Sequence, residues 1–339
     1  MEKMNIAFFG GGERALALFK RITNIWNNKI KIDYAVFMKG YEHEHIFCDK
    51  LEILAKKLNI DYLVSDIITD EIIDKIKYYR PIVAIGGGIW RSMIPRELFD
   101  IPKFGYIGLH GTPLPKYRGW AGINWQIING EKYITTRMYR LSDGIDDGKL
   151  VINKKTGKLL EFKIDIDNEK HLREIFDDYL QMHLIAYDKL FECILEDNID
   201  FIEQNENEAT YSCSIMPEDC EINWNDTTKN IFNFIRSQSK PYSGAYTFFD
   251  GMKVTTWRVK PRYDYKNYVG RIPGKVVTRD KLNDHLVILT KDGGIEVLEC
   301  EREDGEINKF KIFNSVKKRC KSEVEAFVDM IKNSRESLF

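Results

Sequence analysis

Residues 104–119 read FGYIGLHGTPLPKYRG, and this stretch decides the fold. Tyr106–Leu109 is a short apolar run of strand type, and His110 stands one residue past its carboxyl end. Gly111–Gly119 then carries two prolines and two glycines, which leave no room for regular structure. A strand that ends on a histidine and a loop belongs at the carboxyl edge of an α/β sheet, where such sheets bind ligands.

Upstream, short apolar runs alternate with longer amphipathic ones, the pattern of a Rossmann-like, mostly parallel sheet. Strands are predicted at Asn5–Phe9, Ile32–Met38, Asp61–Val64 and Ile82–Ile85, the last ending in Gly86-Gly87-Gly88. Helices are predicted at Arg14–Trp26, Phe47–Leu58 and Thr69–Tyr79; in the first, Ala15, Leu18, Phe19 and Ile22 share one face. Downstream come a helix at Ala121–Asn129, a strand at Lys132–Arg140 and a turn-rich segment, SDGIDDG, at Ser142–Gly148. A long helix is predicted over Glu169–Glu196, with Leu172, Ile175, Phe176, Tyr179, His183, Ala186 and Leu190 along one side.

From about residue 206 the pattern changes to short strands at Val254–Val259, Arg271–Thr278, Leu286–Thr290 and Ile295–Cys300, the mark of a small β-rich domain. A last helix is expected across Ser315–Ile331. The predicted organisation is therefore a catalytic domain over 1–205, a β-rich domain over 206–310 and a terminal helix in 311–339.

The 339 residues are 43% hydrophobic and 30% charged, with a formal net charge of −1. This balance offers no basic surface for nucleic acid, and the one basic cluster is Lys317-Lys318-Arg319 with Lys321. The six cysteines are scattered without a CxxC pair, which implies reduced thiols. No signal-peptide pattern opens the chain and no apolar run is long enough for a membrane span, so a cytoplasmic protein is expected.

Two motifs have competing readings. Gly10-Gly11-Gly12-Glu13-Arg14-Ala15 fits the dinucleotide fingerprint, yet the acidic residue that should close the second strand is missing from Phe37-Met38-Lys39-Gly40. A plain strand-to-helix turn is the favoured reading over a nicotinamide site. His43-Glu44-His45 with Cys48 could hold a metal, but no fourth ligand is near, and a solvated loop is favoured. No metal site is expected, and His183, on an apolar stripe, reads as a core histidine.

The segment from Gly105 to Gly148 is more specific. His110, Thr112-Pro113-Leu114-Pro115, Tyr117-Arg118-Gly119 and Asp146-Asp147-Gly148 match in order and spacing, including the 36 residues from His110 to Asp146. The segment resembles the formyltransferases that use 10-formyltetrahydrofolate. Lys116-Tyr117-Arg118-Gly119 and Asn124-Trp125 look most like the sugar-nucleotide branch. Ile222-Asn223-Trp224 and Pro241–Thr247 resemble the start of the family's second domain. The resemblance implies a formyltransferase fold followed by an OB-like C-terminal domain. It also implies an N-formyltransferase that passes a formyl group to a small-molecule amine, such as a nucleotide-linked amino sugar. His110 and Asp146 would be catalytic. Ile89, Trp90, Thr112, Leu114, Arg118, Gly119, Leu141 and Asp143 would line the 10-formyltetrahydrofolate site.

An imidazole suits the chemistry, because it accepts and returns a proton near neutrality, and a carboxylate beside it orients the ring. One position departs from the family: Gly108 stands where it has an asparagine that donates to the developing oxyanion. Losing such a donor typically costs about 10²–10³ in rate. Arg137 could supply a substitute donor, although a surface or structural arginine is the favoured reading. Methionyl-tRNA is the alternative acceptor, a catalytically impaired binding protein is the alternative class, and a homodimer through the terminal helix is one further arrangement.

Overall fold

The computed structural model describes residues 2–166 and 170–336. Strands β1 (Met4–Gly10), β2 (Ile30–Phe37), β3 (Asp61–Val64), β4 (Val83–Gly86) and β5 (Tyr106–His110) alternate with helices α1 (Gly12–Asn24), α2 (His45–Leu58), α3 (Asp70–Tyr79) and α4 (Glu97–Asp100). Next come β6 (Arg118–Gly119), α5 (Gly122–Ile128), β7 (Tyr133–Arg140), β8 (Leu150–Asn153), β9 (Glu161–Asp165), α6 (Leu172–Leu195), β10 (Ile199–Ile202) and β11 (Tyr211–Ser212). The remainder forms α7 (Thr228–Gln238), β12 (Ala245–Phe249), β13 (Met252–Arg262), β14 (Val276–Asp280), β15 (His285–Leu289), β16 (Gly294–Arg302), α8 (Lys309–Ile312) and α9 (Glu323–Glu336).

The chain falls into two compact units. The first runs through Gly119 and takes in Thr135–Ile164 and Asp178–Ser212; the second comprises Trp120–Ile134, Asp165–Asp177 and the chain from Cys213 onward. The units interleave along the sequence, unlike the continuous segments expected from it.

The first unit is built on a sheet of order β10-β8-β7-β5-β4-β1-β2-β3, with β9 also paired to β7. Strands β3, β2, β1, β4 and β5 run parallel, while β7 is antiparallel to β5, β8 to β7 and β10 to β8. Parallel strands are covered on both faces, and Ile6, Ala7, Phe8 and Phe9 are accordingly all buried. Each such phenylalanine contributes roughly 1.5–3 kcal/mol on leaving water. Helix α1 buries the predicted stripe of Ala15, Leu18, Phe19 and Ile22, and Thr69 caps α3 by accepting the Ile72 N–H at 3.4 Å.

The glycine run between β1 and α1 is a packing device. A Cβ on Gly11 would lie 2.5 Å from the Met38 carbonyl oxygen, and the Gly11 N–H is taken by the Ile89 carbonyl at 3.0 Å. The turn thus spends on the protein itself an amide that a dinucleotide phosphate would require.

In the second unit an antiparallel sheet of order β12-β13-β16-β15-β14 encloses a core that includes Val254, Leu286, Ile288, Ile295 and Val297, with Ile231 and Ile235 from α7. The expected strand Arg271–Thr278 starts only at Val276, because Pro273 and the positive φ of Gly274 interrupt extended pairing. The last helix starts at Glu323 rather than Ser315; before it, Arg319 and Lys321 make bridges to Lys275 and Phe248. Residues 337–339 of the expected terminal segment, and Glu169 at the expected start of the long helix, lie outside the described residues.

The segment around Glu44 is not a solvated loop. Glu42–Glu44 is a short 3-10 turn, and His45 opens α2. Glu44 is buried, paired with Arg91 at 2.8 Å and accepting the Tyr41 N–H at 2.9 Å. Burial of the carboxylate is compensated by this cation and amide. Among the described residues no three His, Cys, Asp or Glu side chains gather as metal ligands, and no helix is long and apolar enough to cross a membrane.

Candidate active site

Strand β5 delivers His110 to the carboxyl edge of the sheet, and the turn after β7 brings Asp146 to it. The His110 Nδ1 lies 3.5 Å from Asp146 Oδ1, with side-chain exposures of 15% and 17%. At that distance the pair is pre-aligned rather than tightly bonded. The other ring nitrogen, Nε2, lies 3.5 Å from the Tyr117 carbonyl oxygen, again a long contact.

Asp146 is held far more firmly. It sits in the left-handed region at φ +51°, a conformation Asp tolerates better than most residues. Its Oδ1 accepts from the Tyr139 hydroxyl at 2.7 Å, and its Oδ2 accepts from the Gly119 N–H at 2.8 Å. Its own carbonyl oxygen accepts from Gln204 Nε2 at 2.8 Å, and the same amide donates to the Gly148 carbonyl at 2.7 Å. The Asp147 carboxylate turns back instead to accept from the Ser142 hydroxyl.

The proline-rich loop is fastened by β11. Arg118 and Gly119 pair in parallel with Tyr211 and Ser212, and the Tyr117 N–H donates to Thr210 Oγ1 at 2.9 Å. Arg118 is 1% exposed. It donates to Gln204 Oε1 at 2.9 Å and to the two Glu206 carboxylate oxygens at 2.9 and 2.6 Å. Its hydrogen bonds with Glu206 raise the arginine's pKa and lower the glutamate's. One glutamine therefore joins the loop arginine to the turn that carries Asp146.

The residues expected to line a folate site divide into two sets. Trp90 and Leu141 pack on one apolar cluster with Phe9 and Tyr106, and Leu141 also belongs to a second cluster with Leu114, Tyr139 and Leu150. Among the described residues, Trp90 Nε1 in the first cluster is a buried polar atom without a partner, as are Ser92 Oγ two residues on and Thr112 Oγ1 two residues past His110. Buried donors left unpaired are costly, and they fit a ligand that combines a flat ring with hydrogen-bonding edges. Ile89 exchanges both backbone bonds with Gly11.

The second set is already engaged. The Arg118 guanidinium is bonded to Glu206 and Gln204 and the Gly119 N–H to Asp146, contacts that hold the loop. Asp143 is exposed and lies 3.7 Å from Arg96. Arg137 is a structural arginine: it pairs with Glu161 at 2.5 Å and donates to the Leu114 carbonyl, leaving Gly108 without a substitute donor from that side chain.

Sequence reading missed Tyr139 and Gln204. Tyr139 had a signal, because a strand ending at Arg140 that returns along β5 must place a residue opposite Gly108. Gln204 had none, since it meets Asp146 across 58 residues of chain.

A histidine and an anchored carboxylate thus meet at the carboxyl edge of the sheet, an arrangement able to hold and pass a proton. The formyl transferase model matches residues 49–164, and the formyl transferase C-terminal domain model matches residues 214–317. A methionyl-tRNA formyltransferase of Thermodesulfovibrio yellowstonii is 30% identical over 252 residues, covering 74% of this chain and 75% of the relative. One from Clostridium tetani is 28% identical over 86% of this chain and 89% of its own. The bifunctional polymyxin resistance protein ArnA of Wigglesworthia glossinidia brevipalpis is 27% identical over 74% of this chain, which spans only 36% of that longer protein. Among solved structures, an N-formyltransferase from Helicobacter canadensis, in complex with folinic acid and dTDP-3-aminofucose, shares the fold at a TM-score of 0.58 and 17% identity. It covers 87% of this chain and 99% of its own. HypX from Aquifex aeolicus, in complex with tetrahydrofolic acid, gives 0.57 and 17%, over 90% of this chain and 45% of its own. The chain belongs to the formyltransferase family and is an N-formyltransferase.

Proposed function

We propose that the protein transfers the formyl group of 10-formyltetrahydrofolate to the primary amine of a nucleotide-linked amino sugar. The observation that carries the transfer reading is the His110–Asp146 pair at the carboxyl edge of the sheet; the buried unpaired donors Trp90 Nε1, Ser92 Oγ and Thr112 Oγ1 accompany it. With Nδ1 facing Asp146, His110 Nε2 is the nitrogen left to meet the reacting groups. The amine nitrogen bonds to the formyl carbon, the bond from that carbon to folate N10 breaks, and one amine proton passes through His110 to N10. Asp146 stabilises the imidazolium while it holds that proton. Leu141 and Trp90 give the pterin an apolar surface, and the unpaired donors take its polar edge.

The sugar acceptor is supported by the Helicobacter canadensis protein, whose ligand is a dTDP-amino sugar, and by the formal net charge of −1. Transfer RNA is the second acceptor considered, because sequence relatives of 28–30% identity are methionyl-tRNA formyltransferases. The test is to incubate the full chain with 10-formyltetrahydrofolate and either a panel of amino-sugar nucleotides or charged methionyl-tRNA, and read formylated product by mass. Formylation of a sugar nucleotide is the expected result; formylation of methionyl-tRNA alone overturns the acceptor.

A further inference from the structure

On one face of the sheet, Gly108 stands directly opposite Tyr139, and His110 opposite Arg137. Residues opposite one another on antiparallel strands project to the same side. A Cβ placed on Gly108 would lie 3.7 Å from the Tyr139 ring, so the ring borders the space that Gly108 leaves. An aromatic ring leaning over a cross-strand glycine is a known way of supporting such a glycine. The same ring meets the His110 imidazole edge-on, at 5.9 Å between centroids and 79° between planes. Its hydroxyl donates at 2.7 Å to Asp146 Oδ1, the oxygen that faces His110 Nδ1. Burial and the neighbouring carboxylate raise the Tyr139 phenol well above its ordinary range, so it stays a proton donor.

From this geometry we infer that Tyr139 is a positioning residue for formyl transfer, acting through Asp146 on His110 and occupying the flank that Gly108 leaves bare. The inference rests on the transfer reading above. Tyr139 touches no reacting atom. Its hydroxyl fixes which lone pairs of Asp146 Oδ1 remain for the imidazole, and its ring limits the rotation of His110. Among the described residues the His110 ring nitrogens make only long polar contacts, at 3.5 Å, so the ring's orientation depends on these neighbours.

The test is Tyr139→Phe in the full chain, which removes one oxygen and keeps the ring. The expected result is a fall in kcat of about tenfold, the scale of one hydrogen bond, with KM for the formyl donor within about twofold. In the Asp146→Ala background the same change should leave kcat unaltered, because the hydroxyl then has nothing to position. Independently of turnover, side-chain ¹H–¹⁵N spectra should show the His110 ring nitrogens shifted or exchange-broadened in Tyr139→Phe. An unchanged kcat, a loss carried wholly by KM, or unchanged His110 signals each overturns the inference. If the unaltered chain formylates no amine, the transfer reading fails, and the His110 spectra alone decide whether Tyr139 positions the ring.

Discussion

The two halves of the proposed catalytic pair are held in opposite ways. Asp146 is fastened at both carboxylate oxygens and at its carbonyl, through Tyr139, Gly119 and Gln204. Among the described residues the His110 ring nitrogens have two polar contacts, each of 3.5 Å. A carboxylate gains from fixed donors because its charge must be compensated in a partly buried place. An imidazole that takes up and returns a proton needs both nitrogens within reach of changing partners. The contrast identifies Asp146 as the fixed reference of the site and His110 as its adjustable part.

The sharpest way to break that comparison is to remove the adjustable part. His110→Ala should lower kcat by about 10²–10⁴, the usual worth of a positioned acid–base group, with the fold intact by circular dichroism. A variant with full activity would take His110 out of the reaction. Next in size is the missing donor. A Cβ at Gly108 would meet Leu141 at 3.4 Å and Tyr139 at 3.7 Å, ordinary contacts, so a side chain can begin there. Gly108→Asn should raise kcat by about tenfold or more, up to the scale of an oxyanion donor; a lower kcat would mean that the amide displaces Tyr139 instead.

A smaller effect is expected where the fixed part is anchored from a distance. Gln204→Ala leaves two carbonyls and part of the Arg118 guanidinium unpaired, so stability should fall by about 1–3 kcal/mol in urea unfolding. In the same variant kcat should drop while KM holds. The smallest is a pH effect away from the site. His183 is fully buried, bonded to the Gly87 carbonyl at 3.0 Å, and its pKa is lowered to about 3 by burial and by Arg14. The fold favours the neutral ring, so its stabilising effect is present above the unfolded pKa of about 6.5 and is lost as pH falls from there toward 3. His183→Gln should flatten the decline in Tm with acidification over that window.

The parallel half of the sheet was legible because each of its strands is a continuous apolar run followed by an amphipathic helix, and both periods are visible in one dimension. The flank of β8, β9 and β10 was not. Leu150–Asn153 is only four residues long and Glu161–Asp165 is mixed in polarity, so they become strands only through pairing. The same holds for the candidate site. That His110 and Asp146 meet was legible because each lies in a local motif at the sheet's edge. The internal bonds of Arg118 and Gly119 were not, since they join residues far apart in the chain. His183 was anticipated as a core histidine from its apolar stripe, and Arg137, read as a surface or structural arginine, is paired with Glu161.

The link through Gln204 also bears on how the protein is made. A chain growing from its amino end carries the whole His110–Asp146 motif long before residues 204–212 emerge. Until they do, the Asp146 turn lacks Gln204, and the loop at Arg118 lacks the strand pairing and acceptors that seat it. The motif alone is therefore not the working site. Maturation of the catalytic turn waits on a segment that follows α6, and a fragment released before that point would bear the family's signature without its geometry.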